Sequence, residues 1–335
     1  MTDWEKIYQE IEKADSIMLT THENPDGDGI GSIVALYDHL KTKGKECRIL
    51  LTSRLPEEYH FLDPDNNFEV FEETKHTEWL MNVDLSILLD IGNYTRTGRM
   101  WNVIQKNGTI VVNIDHHPYP NGHPFTINVS DINASATGEL IYSYLKAVDP
   151  DCLQKKVYEA IYIAIMTDTG SFSYNNTNVL CHEIAANAIK AGVDTAKIHQ
   201  KIYGSSSRSK IKLLAVVADN LQFTYNGKLV WFKITNEMMH KAGATNDDVD
   251  GFTDFARAIK GVEVSVMIFD NADNSCRINF RSKGYYSINK IAQYFGGGGH
   301  SFAAGAKVTG KITAVASNVV NKTIEIMKKQ EKVID

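Results

Sequence analysis

Apolar residues recur along the chain in two periods. Trp4, Ile7, Tyr8 and Ile11 fall at i, i+3, i+4 and i+7, which predicts an amphipathic helix. Residues 16–20 are a short apolar run and predict a strand. Helical spacing returns at Ile30, Ile33, Val34, Tyr37 and Leu40. Residues 47–51, 84–91, 109–114 and 126–129 are further short runs of aliphatic side chains and predict strands. Residues 55–71 are mixed and predict loop with short structure. Helical periodicity lies around Met100, Trp101 and Ile104, across 136–148 with Leu140, Ile141, Tyr144 and Leu145 inward, and at Val157, Ala160, Ile161, Ala164 and Ile165. It continues over 178–191 and 194–203. Short strands alternating with such helices predict a parallel α/β sheet.

The pattern changes after the linker-like stretch 204–209, Gly-Ser-Ser-Ser-Arg-Ser. A helix with Ile211, Leu214, Ala215 and Ala218 opens the second half. Residues 229–234, 262–269 and 276–281 predict strands. The last sets Cys276, Ile278 and Phe280 against Arg277, Asn279 and Arg281. Asn226-Gly227 is a hairpin signal, and Phe255, Ala258 and Ile259 mark a short helix. The expected fold class is α/β, with an N-terminal parallel-sheet domain over 1–192, a linker over 193–212 and a smaller C-terminal α+β domain over 213–335. No repeat of fixed period is present.

Composition narrows the function. The 335 residues are 43% hydrophobic and 23% charged, as in an ordinary globular protein. The charged opening residues 1–6 carry no secretory signal, and no apolar run is long enough for a bilayer. A cytoplasmic protein without membrane partners is expected. Cys47, Cys152, Cys181 and Cys276 are far apart and form no Cys-x-x-Cys pair, which argues against a zinc ribbon or a disulfide framework. A net charge of −6 disfavours a protein that coats long nucleic acid, so a nucleic-acid substrate should be short and held locally.

The candidate chemistry sits where elements end. Residues 111–118 run from a strand into Asp115-His116-His117 and then a proline, a display of polar groups suited to an α/β active site and equally readable as a solvated turn. His22, Asp26 and Asp28 fall in a Pro- and Gly-rich stretch, read as a loop, before a helix, where either Asp could simply cap that helix. Asp90 ends a buried strand, as a functional carboxylate or a turn former. Asp168 ends a helix at the unfavourable end of its dipole, which a cation would justify and a plain C-terminal turn would also explain. Gly296 to Gly299, followed by His300, can bring backbone N–H groups to an anion or form a flexible surface loop. No Lys follows, so this is not the usual nucleotide loop. Arg281-Ser282-Lys283 is a second anion-friendly stretch, or a solvated basic pair. Several carboxylates cannot cluster uncompensated, and two divalent cations would resolve the repulsion. Oxygen donors with imidazole and no thiolate suit Mn²⁺ or Mg²⁺, and the imidazole tilts the choice toward Mn²⁺.

Taken in order, His22-x-x-x-Asp26-x-Asp28, strand-end Asp90, Asp115-His116-His117, Thr167-Asp168-Thr169-Gly170 and Gly296-Gly297-Gly298-Gly299-His300 with Ala303-Ala304-Gly305 resemble the DHH phosphoesterase family with its DHHA1 C-terminal domain. The likeness spans nearly the whole chain. The two-domain layout is similar to the branch that degrades nanoRNA and dephosphorylates 3′-phosphoadenosine-5′-phosphate (pAp).

The resemblance implies a DHH domain that binds two metals and a DHHA1 domain that binds substrate. It implies His22 and Asp26 on one metal, Asp28 on the other, a bridging Asp90, and His116 and Asp168 completing the shell. It further implies that Asp115 orients His116 and that His117 faces the scissile phosphate. Arg281, Ser282, Gly297, Gly298, Gly299 and His300 would hold the far phosphate and base. One departure is Ile91, where the family often has a small hydroxyl residue. The implied partners are short RNA oligonucleotides, dinucleotides and nucleoside bisphosphates, cleaved by metal-activated water. The alternatives are a RecJ-like single-strand exonuclease, a phosphodiesterase for linear pApA or pGpG, and, outside enzymes, a nucleotide-binding protein with a silent site. The sequence does not fix the assembly state, for which a homodimer is the candidate.

Overall fold

A computed structural model describes residues 3–118, 122–204, 206–299 and 301–334. The chain divides into two compact units, Met1–Ser205 and Ser206–Asp335.

The first unit runs α1 (Asp3–Lys13), β1 (Ser16–Thr20), α2 (Gly27–Thr42), β2 (Glu46–Leu51), β3 (Phe68–Val70), α3 (Glu73–Leu80), β4 (Leu85–Leu89), α4 (Met100–Asn107), β5 (Ile110–Asp115) and β6 (Ile127–Ser130). It continues with α5 (Thr137–Val148), α6 (Lys155–Asp168), α7 (Val179–Lys190) and α8 (Thr195–Tyr203). Among the described residues its strands form one parallel sheet in the order β3-β2-β1-β4-β5-β6. Both faces are covered, which explains the unbroken apolar runs. Ile17, Leu19, Ile87 and Ile114 pack toward α2, α5 and α6, while Met18, Leu88 and Val111 pack toward α3 and α4. The strand order reverses between β1 and β4, and in such sheets ligands bind at the carboxyl ends beside that reversal. His22 follows β1 and Asp90 follows β4.

The Gly-rich part of the stretch read as a loop before the helix is itself helical, since α2 starts at Gly27. Two of its glycines serve packing instead of loop freedom. A Cβ on Gly27 would lie 2.5 Å from the Thr167 side chain, and one on Gly31 would lie 2.4 Å from the Ala160 carbonyl oxygen. Their absence lets α2 and α6 approach closely, which brings the end of α6 to the start of α2. The span 193–212, read as linker, contains α8, and the division between the units falls within it.

The second unit contains α9 (Arg208–Asp219), β7 (Gln222–Thr224), β8 (Leu229–Ile234), α10 (Asn236–Ala242), α11 (Phe252–Arg257), β9 (Val264–Asp270) and β10 (Ser275–Ser282). It ends with α12 (Asn289–Tyr294), β11 (Gly298–Gly299), β12 (Ala303–Thr309) and α13 (Ile312–Ile334). Its sheet has the order β11-β12-β10-β9-β8-β7 and is antiparallel except for the β8–β9 pair. Ile278 and Phe280 pack with α12 and α13 on one face, and Met267 and Phe269 pack with α9 to α11 on the other. No described helix is long and apolar enough to cross a membrane.

Candidate metal centre

The first unit gathers His22, Asp26, Asp28, Asp90, Asp115, His116, His117 and Asp168 at one end of its sheet. Asp26 is the N-cap of α2, its Oδ1 accepting the backbone N–H groups of Asp28 and Gly29. The other oxygen, Oδ2, lies 3.6 Å from His22 Nε2. The capping reading and the ligand reading therefore apply to the same side chain. Asp28 is buried in the first turn of α2, where its carboxylate accepts the N–H groups of Thr137 and Gly138 at the start of α5.

Asp90 has a left-handed backbone (φ 55°) immediately after β4 and is 1% exposed. For a residue with a side chain, that conformation is uncommon outside special positions. Its Oδ2 lies 3.7 Å from His22 Nε2, and its Oδ1 lies 3.7 Å from His116 Nε2 and 3.2 Å from His117 Nδ1. His116 Nε2 is also 3.5 Å from Asp28 Oδ2 and 3.6 Å from Asp168 Oδ2. Two ligand sets thus meet on one carboxylate: His22, Asp26 and Asp90 on one side, Asp28, His116 and Asp168 on the other.

Backbone carbonyls aim both ligand imidazoles. His22 Nδ1 donates to the Glu23 carbonyl at 2.7 Å and His116 Nδ1 donates to the Ala134 carbonyl at 3.2 Å. This leaves each Nε2 turned toward carboxylates, in the tautomer a metal needs. The resemblance implied that Asp115 orients His116, whereas the hydrogen bonds of Asp115 run to His117 and Gly92. Its Oδ1 accepts the backbone N–H of His117 at 3.0 Å and His117 Nδ1–H at 2.8 Å, while its Oδ2 accepts Gly92 N–H. The physical reason is local: a strand-end Asp turns back onto the residue two positions on.

The electrostatics call for positive charge. Burial, together with the charges of Asp90, Asp168 and Asp26, holds Asp28 well above the usual carboxylate range. Burial pushes Asp168 up to about 6, outweighing with Asp26 and Asp90 the attraction of His116. Burial favours a neutral His117, but hydrogen bonds to Asp115 and Asp90 hold its imidazole well above the ordinary range. Carboxylates and imidazoles, without thiolates, in two sets sharing Asp90 fit divalent metal ions.

Sequence reasoning passed over several supporting residues. Thr137 Oγ1 donates to Asp90 Oδ1 at 3.2 Å. Asn176 Nδ2 bridges Asp168 Oδ2 at 3.1 Å and the Ser135 carbonyl at 2.8 Å. Ser135 in turn donates to buried Glu139, which also accepts from Asn178. Thr137 was findable as a hydroxyl in the first turn of the helix predicted over 136–148; nothing in the sequence marks Asn176. Arg96 Nη1 bonds the Ile91 carbonyl and lies near Gly92 beside the His117 ring. The Ile91 side chain is buried in the apolar layer with Met18 and Met100.

In the second unit, Arg281 is about one-third exposed, with Nε 3.6 Å from Asp254 Oδ2. Ser282 is buried and its Oγ accepts Gly284 N–H. The glycine run is not an open loop. Gly297 N–H is bonded to the Ala292 carbonyl, and Gly298 and Gly299 form an exposed edge strand opposite Gly305 and Ala304. His300 lies outside the described residues.

A family profile described as DHH family, N-terminal domain, matches residues 16–165, and one described as DHHA1 domain matches residues 226–330. The bifunctional oligoribonuclease and PAP phosphatase NrnA of Thermus thermophilus is 30% identical over 314 residues, covering 92% of this chain and 90% of that protein. The protein of the same name from Bacillus subtilis is 28% identical over 90% of this chain and 92% of its own length. Among solved structures, an exopolyphosphatase-related protein from Bacteroides fragilis has a TM-score of 0.89 at 25% identity, covering 99% of this chain and 97% of that one.

Proposed function

The chain belongs to the DHH family of phosphoesterases and carries a DHHA1 domain, and we propose that it hydrolyses short oligoribonucleotides to mononucleotides and pAp to AMP. The observation that carries this reading is Asp90, whose two oxygens face two separate histidine–carboxylate sets. His22, Asp26 and Asp90 would hold one divalent ion, and Asp28, His116 and Asp168, with Asp90, would hold the other. Bound there, two ions supply an activated water and stabilise the leaving oxygen. Mn²⁺ is preferred over Mg²⁺ because each set includes an imidazole.

This chain's own residues do the rest. His117, kept protonated by Asp115, meets the scissile phosphate as a hydrogen-bond and proton donor. Arg96 adds a positive charge beside it. In the DHHA1 domain, Arg281 and the exposed edge Gly298–Gly299 are the candidate groups for binding a phosphate and a base. The relatives of matching length support short RNA and pAp as substrates; a RecJ-like exonuclease is the weaker reading. The cysteines are all free thiols, which fits a reducing cytoplasm.

The test is incubation with Mn²⁺ and 5′-phosphorylated RNAs from two to about twenty nucleotides, and with pAp, beside Asp90→Ala. Preferential loss of the shortest RNAs and release of AMP, both abolished in the variant, are expected. Preference for the longest strands would favour the exonuclease. Tight nucleotide binding without turnover would sink the enzyme reading.

A further inference from the structure

Helices α2 and α5 each carry a second set of ligand-type residues at the end away from the metal centre. α2 holds Asp28 in its first turn and reaches His39 about 16 Å further on, at 1.5 Å per residue. α5 begins with Thr137, which donates to Asp28, and is capped at its other end by Asp149. Cys152 follows in the short turn Pro150–Cys152. A ring nitrogen of His39, a carboxylate oxygen of Asp149 and the Cys152 sulfur all lie within 4.8 Å of one another. They line a surface cleft of about 390 Å³.

His39 is the informative member. It is 1% exposed, and its Nδ1 makes no hydrogen bond. That nitrogen lies 3.7 Å from Asp149 Oδ2, too far for a hydrogen bond. A buried ring nitrogen without a partner is unfavourable and calls for an explanation. The same Asp149 oxygen already holds a cation, the Lys43 ammonium, at 2.8 Å. The Lys43 side chain is 37% exposed and can swing into solvent on its flexible stem.

This donor set differs from the catalytic one because it includes a thiol. One imidazole, one carboxylate and one thiolate suit Zn²⁺ better than Mg²⁺ or Mn²⁺. Tetrahedral zinc asks for donors roughly 3.5 Å apart, and the His39–Asp149 pair is already close to that.

We propose that His39, Asp149 and Cys152 form a second, non-catalytic zinc site, with its fourth position open to the cleft. Binding displaces Lys43 from Asp149, and the Cys152 thiol releases its proton to solvent. Zinc there ties the ends of α2 and α5 together, two helices whose other ends hold Asp28. The site does not depend on the phosphoesterase reading.

The test uses the full chain saturated with Mn²⁺ and then titrated with Co²⁺, following thiolate-to-cobalt charge-transfer absorption. The catalytic centre has no thiolate, so this band reports only a cysteine site. The band should saturate at one equivalent, be bleached by Zn²⁺, and disappear in Cys152→Ser and His39→Ala. Lys43→Ala, a change at a partly exposed side chain that leaves folding intact, should tighten Co²⁺ binding several-fold. No band in the wild-type protein, a band that persists in Cys152→Ser, or unchanged affinity in Lys43→Ala would each overturn the proposal.

Discussion

Asp28 Oδ1 accepts the backbone N–H of Gly138 at 2.9 Å. The neighbouring Thr137 N–H binds Oδ2 at 2.7 Å, so the positive end of α5 fixes a carboxylate on α2 that faces His116. A methyl group on Gly138 would meet the Ala164 Cβ at 2.4 Å. Gly138→Ala should therefore lever α5 away from α6, at a cost of about 1–3 kcal/mol for overpacking. Denaturant unfolding of the metal-free protein reads the cost, and Mn²⁺ calorimetry should show weaker binding in the same variant. Native affinity with lowered stability would mean that the helix end does not position Asp28.

Asp115 holds His117 by both its ring and its backbone N–H. Removing that carboxylate's charge should lower kcat by about 10- to 100-fold, the range seen for residues that orient a site. Mn²⁺ affinity should change little, because His116 is anchored on the Ala134 carbonyl instead. Steady-state kinetics and metal titration of Asp115→Asn make the comparison. A large loss of metal affinity with intact kcat would reverse the assignment and return Asp115 to His116.

Much of this architecture was legible in the sequence. Strands buried on both faces leave short aliphatic runs, and polar residues where those runs stop fall at the carboxyl edge of a parallel sheet. That logic reaches His22, Asp90 and Asp115, which all lie at that edge. It failed where one residue serves two elements. Gly27 and Gly31 read as loop formers, yet their role is close contact with α6, a partner far along the chain. Asp115 and His116 are adjacent in sequence, but the hydrogen bond goes to His117 because a strand-end Asp bends forward. Asn176 reaches Asp168 and Ser135 across a turn that no periodicity marks.

The crowded carboxyls give the metal-free protein an inverted acid response. Asp168 titrates near 3.8 when free and is pushed up to about 6 by burial in the fold. The folded state then binds its proton more tightly than the unfolded state, so stability falls as pH rises between those values. Asp28, raised by burial and neighbouring charge, acts in the same sense. His117, also raised, contributes stability that is complete below 6.5 and lost as pH climbs through its folded value. Chelated protein should accordingly melt higher at about pH 5 than at about pH 7. Saturating Mn²⁺ should raise the melting temperature most at the higher pH, and Asp168→Asn should flatten the chelated protein's slope. A wild-type slope of the opposite sign would show that these carboxyls are not crowded without metal.

The glycine run in the second unit separates a backbone role from a ligand role. A Cβ on Gly297 would lie 2.0 Å from the Gly305 carbonyl oxygen, whereas one on Gly298 would meet nothing within 4 Å. Gly297 N–H is also bonded to the Ala292 carbonyl at the end of α12, so its amide is committed to the fold. Gly297→Ala should lower the melting temperature, because it forces β12 and the turn before β11 apart. Gly298→Ala should leave melting unchanged, and if this exposed edge contacts substrate it should raise KM for dinucleotides with little change in kcat. Arg281→Ala should raise KM in the same assay, since its guanidinium is about one-third exposed beside Asp254. Thermal melts and kinetics on one dinucleotide cover all three variants. Unchanged KM in both Gly298→Ala and Arg281→Ala would remove this face from substrate binding, while a destabilised Gly298→Ala would mean that the edge strand is packed more tightly than its open surroundings indicate.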